Sequence, residues 1–233
     1  MSIEYKKEVL SLINDLTPIN PSIIIEKTED GIRIARDNAA HSIFYYLNAE
    51  KDSFNFEREK IAFYNFPEFY QLINVFNSPE ISLKENKLKI SKDKSKIKYI
   101  ISDPETISES AAPKGIKFPS TDARLSFDVS EIKDLKKMIS LLRSKYIKFI
   151  ISGKSISVNC LNENHDNSYE KTFDMGEEFS ETEDFEMKIA SDIFTLIPEN
   201  NYIFEICKGG ITRFSYKKDN INLTIFVAQV IDE

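Results

Sequence analysis

The feature that most constrains this chain is a fourfold internal repeat. One unit is an amphipathic helix, then a strand, a tight turn and a second strand. The units read KKEVLSLINDL…SIIIEKTEDGIRI, FPEFYQLINVF…EISLKENKLKI, SEIKDLKKMISLL…KFIISGKSISV and ASDIFTLI…YIFEICKGGITRF, and they begin about every 60 residues. The tripeptide Leu12-Ile13-Asn14 recurs as Leu72-Ile73-Asn74. A unit of this size cannot bury its apolar face alone, so neighbouring units must stack, two to a domain. The expected fold class is therefore α+β: two similar domains, each with two helices packed on antiparallel sheets.

The periodicity predicts helices over residues 3–16, 66–77, 128–145 and 190–198. Val9, Leu12, Ile13 and Leu16 give the first its apolar face, and Pro18 and Pro21 stop it. Pro67 sits in the first turn of the second. Alternating or apolar runs bounded by turn residues predict strands over 22–27, 31–36, 42–48, 57–64, 80–83, 87–91 and 96–102 in the first half. In the second half they predict strands over 124–128, 147–152, 155–160, 169–173, 185–189, 202–208, 211–216 and 221–228. Residues 103–122 break the pattern with three of the eight prolines and many Ser, Thr and Ala. The reading is a first domain over 1–106, a connecting linker over 107–122 and a second domain over 123–233.

The third helix carries the most unusual charge. Asp128 can cap its N-terminus, with Glu131 three residues on, the spacing of a capping box. Ile132, Leu135, Met138, Ile139 and Leu142 form one apolar stripe. Lys133, Lys137, Ser140 and Ser144 lie opposite it, and Lys136 and Arg143 flank it. The protein as a whole has a formal charge of −7, while residues 128–145 hold five basic and three acidic side chains. An acidic protein is a poor nucleic-acid binder on average, but charge segregated onto one helix keeps that class open.

Other chemistries find little support. At 41% hydrophobic and 30% charged residues the chain is a folded globular one. Cys160 and Cys207 stand in no CxxC or Cys/His pattern and read as buried reduced thiols. No signal-peptide pattern and no run of 18 apolar residues occurs, so a cytoplasmic protein is expected, without membrane contact. The acidic run Glu177, Glu178, Glu181, Glu183, Asp184 and Glu186 lacks the fixed spacing a metal or general-acid site needs and reads as a solvated loop. His41 and His165 stand in no triad or metal-ligand pattern. Gly209-Gly210 joins two strands and does not open a helix, which argues against a phosphate-binding loop. No catalytic residue, metal ligand or cofactor is expected.

The stretch FPEFYQLINVFNSPEISLKENKLKISKDKSKIKYIISDPET, with Asp103-Pro104 at its exit, and the fourfold layout around it resemble the sliding clamps of DNA replication. They are similar in particular to the clamp of T-even-type tailed phages. The resemblance covers almost the whole chain and rests on layout, because no short motif is diagnostic of that family. It implies two DNA-clamp domains per chain that assemble as a homotrimer into a closed ring, by head-to-tail contacts. Duplex DNA would thread the hole without sequence preference. An ATP-dependent clamp loader would open the ring, and a DNA polymerase would dock for processive synthesis. In a phage this would happen in the host cytoplasm.

On that resemblance the DNA-facing residues are Lys6, Lys7, Lys133, Lys136, Lys137 and Arg143. Dispersed cations near phosphates attract without reading bases. The helices over 66–77 and 190–198 carry no basic residue, and Lys188 lies just before the latter. The resemblance also implies a pocket beside the linker for hydrophobic tails of partner proteins, with Ile116, Phe118, Val227, Val230 and Ile231 as its candidates. An alternative of another class is an acidic, β-rich peptide-binding adaptor that never touches DNA. A third is a carboxylate hydrolase built on Glu181 and Glu183.

Overall fold

The structure, a computed structural model, describes residues 2–76, 79–161, 167–175, 179 and 183–230. The chain forms two compact units, Met1–Gly115 with Lys217–Leu223, and Ile116–Tyr216 with Thr224–Glu233. Strand β1 (Ser2–Tyr5) leads into helix α1 (Lys7–Leu16). Strands β2 (Ile23–Lys27), β3 (Gly31–Asp37), β4 (Ile43–Glu50), β5 (Phe54–Asn55) and β6 (Lys60–Phe63) follow. Helix α2 (Phe66–Val75) precedes β7 (Glu80–Lys84), β8 (Lys87–Lys92) and β9 (Ser95–Ile100). After a 3₁₀ turn at Pro104–Thr106 come β10 (Ala123–Phe127), helix α3 (Val129–Leu142), β11 (Tyr146–Ser152) and β12 (Ser155–Leu161). Then follow β13 (Ser168–Asp174), β14 (Phe185–Ala190), helix α4 (Asp192–Leu196), β15 (Tyr202–Cys207), β16 (Ile211–Lys218) and β17 (Ile221–Ala228).

The fourfold repeat is physical. Each helix is followed by an antiparallel hairpin: β2 with β3, β7 with β8, β11 with β12 and β15 with β16. In the first unit β5-β1-β7-β8-β9 form one sheet, and β4-β3-β2-β6 lie side by side in another. In the second unit β13-β12-β11-β14 form one sheet, and β10-β15-β16-β17 lie side by side in another. Within each unit the two repeats therefore give their hairpins to different sheets. The helices pack in pairs, α1 on α2 and α3 on α4.

Burial explains these elements. α1 turns Val9, Leu10, Leu12, Ile13 and Leu16 inward. In the first unit Phe63 stacks on Phe69 at 4.4 Å and meets Phe66 edge-on at 5.4 Å. In the second, Phe204 lies 4.4 Å from Phe214 and 4.9 Å from Phe149, all three fully buried. Such rings supply the largest apolar areas and lock one packing through their edge and face geometry. Cys160 and Cys207 are buried free thiols, and burial pushes the Cys160 thiol up to about 11. The β3 entrance needs glycine: a Cβ on Gly31 would sit 2.0 Å from the Ala49 carbonyl oxygen.

Several boundaries differ from expectation. Residues 2–5 form a strand, not a first helical turn. Ile3 is buried opposite Ile81, and Glu4 is exposed opposite Asn55, an alternation only a strand provides. Lys6 is extended, with φ −91° and ψ 135°, and ends the strand before α1 begins. The third helix stops at Leu142 because Arg143 takes the left-handed conformation at φ 52°. Ser144 is therefore not on the helix's outer face. It is buried, donates to the Tyr146 carbonyl and accepts from the Leu161 amide. β5 is a further strand of two residues, the strand expected from residue 57 begins at Lys60, and α4 begins at Asp192.

Candidate nucleic-acid interface

α3 is built as its sequence dictates. The Asp128 carboxylate accepts from the Glu131 amide at 2.9 Å, and Glu131 returns the contact from the Asp128 amide at 2.8 Å. Two of the orphan amides of the first turn are thereby satisfied. The Ser130 hydroxyl and the Glu131 amide hold the Asp128 carboxyl below its ordinary range. Ile132, Leu135 and Ile139 are buried, while Met138 and Leu142 are half-buried at the edge of that stripe. Lys133, Asp134, Lys137, Ser140 and Leu141 face solvent.

The six cations expected to face DNA occupy different situations. Lys6 and Lys7 are exposed at the start of α1 in the first unit. The other four belong to the second unit. Lys137 and Arg143 are exposed, Lys137 on the outer face and Arg143 at the C-terminal cap. Lys133 is exposed and lies 3.7 Å from Glu199. Lys136 is half-buried, donates to the Ile197 carbonyl at 3.0 Å and lies 3.5 Å from Glu199. That carbonyl belongs to the residue just past α4, so Lys136 serves as a cap for its neighbour helix. The exposed α2 side chains are Glu68, Gln71, Asn74 and Val75, so that helix presents no cation.

The candidates for a partner-tail pocket also separate. Phe118 is half-buried, its ring centroid 6.2 Å from that of Phe226, with the Arg213 guanidinium 4.4 Å above it. Arg213 is held by Glu205 at 2.6 Å, and Glu205 also accepts from Arg124 at 3.1 Å and Thr121 at 3.2 Å. Burial alone would raise the Glu205 carboxyl, but the hydrogen bonds from Arg213 and Arg124 outweigh it and hold it below its ordinary range. Ile116 and Val230 are half-buried, and the Val230 amide donates to the Lys188 carbonyl. Val227 is 2% exposed and its neighbour Phe226 supplies the ring beside Phe118. Ile231 lies outside the described residues.

The early part of the linker is tied to the first unit. Ile107 packs against Ile24 and Ala62. Arg36 donates to the Ser108 carbonyl, Asp37 accepts from the Ala111 amide at 3.3 Å, and the Tyr46 hydroxyl donates to the Ala112 carbonyl at 2.8 Å. Asp37 also pairs with His41 at 2.5 Å, a contact the spacing i to i+4 makes possible. The later part is tied to the second unit, where the Asp122 amide donates to the Ile206 carbonyl.

Of the acidic run, Glu177, Glu178 and Glu181 lie outside the described residues, as does His165. Glu183 pairs with Lys208 at 2.8 Å, Asp184 accepts from Ser152 and the Gly153 amide, and Glu186 pairs with Lys148 at 2.6 Å. Each thus has a local partner of its own. Among the described residues no cluster of His, Cys, Asp and Glu is placed to hold a metal, and no helix is long and apolar enough to cross a membrane.

The largest set of exposed cations is elsewhere. Residues 80–100 hold seven lysines against three carboxylates. Lys84, Lys87, Lys89, Lys96 and Lys98 are all exposed on β7–β9. A helix-centred reading of charge passes over them, because their signal is alternation with apolar residues in KLKISKDKSKIK.

No protein-family profile matches the chain, and the curated proteins contain no detectable relative. Solved structures do match. One is titled the C-terminal region of FEN-1 bound to A. fulgidus PCNA. It superposes over 100% of both chains with a TM-score of 0.75 at 12% identity. The proliferating cellular nuclear antigen of Entamoeba histolytica covers 95% of this chain and 96% of its own, with a TM-score of 0.73 at 13% identity. The chain has the two-domain sliding-clamp fold.

Proposed function

We propose that this chain is a sliding clamp, a homotrimeric ring that encircles duplex DNA and tethers a replicative DNA polymerase. The observation that carries the reading is the fold over the full chain: four equivalent helix–hairpin repeats, matched end to end by PCNA structures. Two open sheet edges support the assembly. β9 ends one sheet of the first unit, and β13 ends one sheet of the second. β9 exposes Lys96 and Lys98, and β13 exposes Glu170 and Asp174. Unpaired edges of opposite charge are what a head-to-tail strand contact between copies requires. The Lys133 and Lys137 face of α3, with Lys6 and Lys7 of α1, turns toward DNA phosphates and contacts them without base readout. Lys136 supports that face by capping α4.

The protein catalyses nothing in this role. An ATP-dependent loader opens the ring, and tails of partner proteins bind beside the linker, where Ile116, Phe118 and Val230 stand. Binding of a FEN-1 region by the A. fulgidus neighbour supports that reading. The finer kinship with T-even-type phage clamps rests on the stretch 66–106, and buried reduced thiols fit a cytoplasmic setting. Light scattering tests the assembly. A particle of about 81 kDa, three times 26.9 kDa, is expected. A monomer at every concentration, with loader and DNA present or absent, would rule it out.

A further inference from the structure

The solvent face of β7, β8 and β9 carries a charge arrangement that neither helix packing nor core formation explains. The registers place its residues in three rows across the strands: Lys84, Lys87 and Ile100; Ser82, Lys89 and Lys98; Glu80, Ser91 and Lys96. The opposite face holds Ile81, Leu83, Leu88 and Ile90, all buried. The five lysines are exposed. No described carboxylate lies in ion-pair distance of any of them, although Glu80 shares the face and Glu85 sits in the β7–β8 turn.

Two of the cross-strand pairs are lysine against lysine, Lys84 with Lys87 and Lys89 with Lys98. Residues directly opposite in an antiparallel pair sit about 5 Å apart at Cβ, and like charges there destabilise the sheet. A protein of net charge −7 has gathered its repelling cations where they cost stability. A bound polyanion reverses the sign of that cost.

The geometry points to a second contact surface for duplex DNA on this sheet face, separate from the helix faces. The face is about 14 Å long along β9 and three strands wide, at the ordinary spacing of about 3.4 Å per residue and about 4.8 Å per strand. A duplex carries one charge per about 1.7 Å of axis, so a 14 Å length presents about eight phosphates, about half of them toward the sheet. Five ammonium groups are enough to meet about four phosphates. The side chains are Lys without Arg, which gives point-charge attraction and no bidentate reading of bases. Ser82 and Ser91 lie between the lysines and can donate to phosphate oxygens. An acidic peptide would want an apolar anchor site, and the only apolar residue in the three rows is Ile100, 72% exposed at the sheet edge.

Lys84, Lys87 and Lys89 lie on β7 and β8, off the β9 edge used for the contact between copies, and the test is made on them to keep the two apart. The full chain is titrated, without loader, against a fluorescently labelled, covalently closed duplex minicircle, which offers no end for threading. Four phosphate contacts give a log–log salt slope of about −3.6, an affinity loss of about 150-fold between 50 and 200 mM salt. The variant Lys84→Gln/Lys87→Gln/Lys89→Gln is expected to bind at least tenfold more weakly at 50 mM, with a slope near −2. A control that replaces exposed lysines off this face, Lys51→Gln/Lys154→Gln/Lys217→Gln, should retain the steep slope. The triple variant should melt at the same or a higher temperature, since it loses a repelling pair. Unchanged affinity and slope in the triple variant overturn the assignment. So does a polyglutamate peptide that binds the wild type as tightly as the minicircle at the same ionic strength.

Discussion

Glu205 is the residue whose replacement should report most directly on how the second unit holds the linker end. Its side chain is 5% exposed and takes hydrogen bonds from Arg213, Arg124 and Thr121. Glu205→Gln keeps the shape and removes the charge. Breaking a buried ion pair by neutralising one partner costs about 3–5 kcal/mol when the stranded charge stays buried. Here the Arg213 and Arg124 side chains are 30% and 42% exposed and can regain water. The expected loss is therefore nearer about 2 kcal/mol, and with a urea dependence of about 3 kcal/mol per M it lowers the midpoint by about 0.7 M. The chain has ten tyrosines and no tryptophan, so tyrosine fluorescence follows the transition.

The pH dependence gives the second reading of the same perturbation. The folded Glu205 carboxyl lies below its ordinary value. Its contribution is thus fully present above the unfolded carboxylate value, and it fades as pH falls through the folded one. The gap between wild type and Glu205→Gln should be full at pH 7 and should shrink steadily below about pH 4. A gap under about 0.5 kcal/mol at pH 7, or one of constant size down to pH 3, would refute the idea that this carboxylate organises Arg213 and Arg124.

Other perturbations separate the roles of neighbouring side chains. Lys133→Glu/Lys137→Glu should cut loader-dependent processivity at least tenfold with an unchanged melting temperature; intact processivity removes those lysines from the DNA face. Lys136→Met should instead cost about 1 kcal/mol of stability, read by urea titration, because it deletes the cap on the Ile197 carbonyl. Asp128→Ala should lower the melting temperature at pH 7, since it removes the N-cap of α3. That difference should fade in acid, because the native carboxyl is held low by Ser130 and the Glu131 amide. Gly31→Ala should lower stability by more than about 3 kcal/mol, since its Cβ would meet the Ala49 carbonyl at 2.0 Å; a melting temperature within a few degrees of wild type would contradict that contact.

What the sequence disclosed followed the range of the forces involved. Helix–hairpin repeats are local patterns, and all four were legible, as was the capping box at Asp128. The strand at 2–5 was not, because Ile3 is buried by Ile81, a partner 78 positions away that no local period announces. The end of α3 was missed for a related reason. Arg143 turns left-handed without glycine, in a turn closed by the Arg143 and Ser144 amides on the Ile139 carbonyl and held by the buried Ser144 hydroxyl between Tyr146 and Leu161. Charge shows the sharpest contrast. The helical wheel sets Lys136 at the flank of the apolar stripe and Lys133 and Lys137 opposite it, but only tertiary packing makes Lys136 the cap of a neighbouring helix. The lysines of β8 and β9 were plain in the sequence as single residues, and the register alone turned them into a surface by setting Lys89 against Lys98. Among the described residues Lys84, Lys87 and Lys89 stand on that face beyond ion-pair distance of any carboxylate, which makes it the part of the chain whose chemistry most requires a partner.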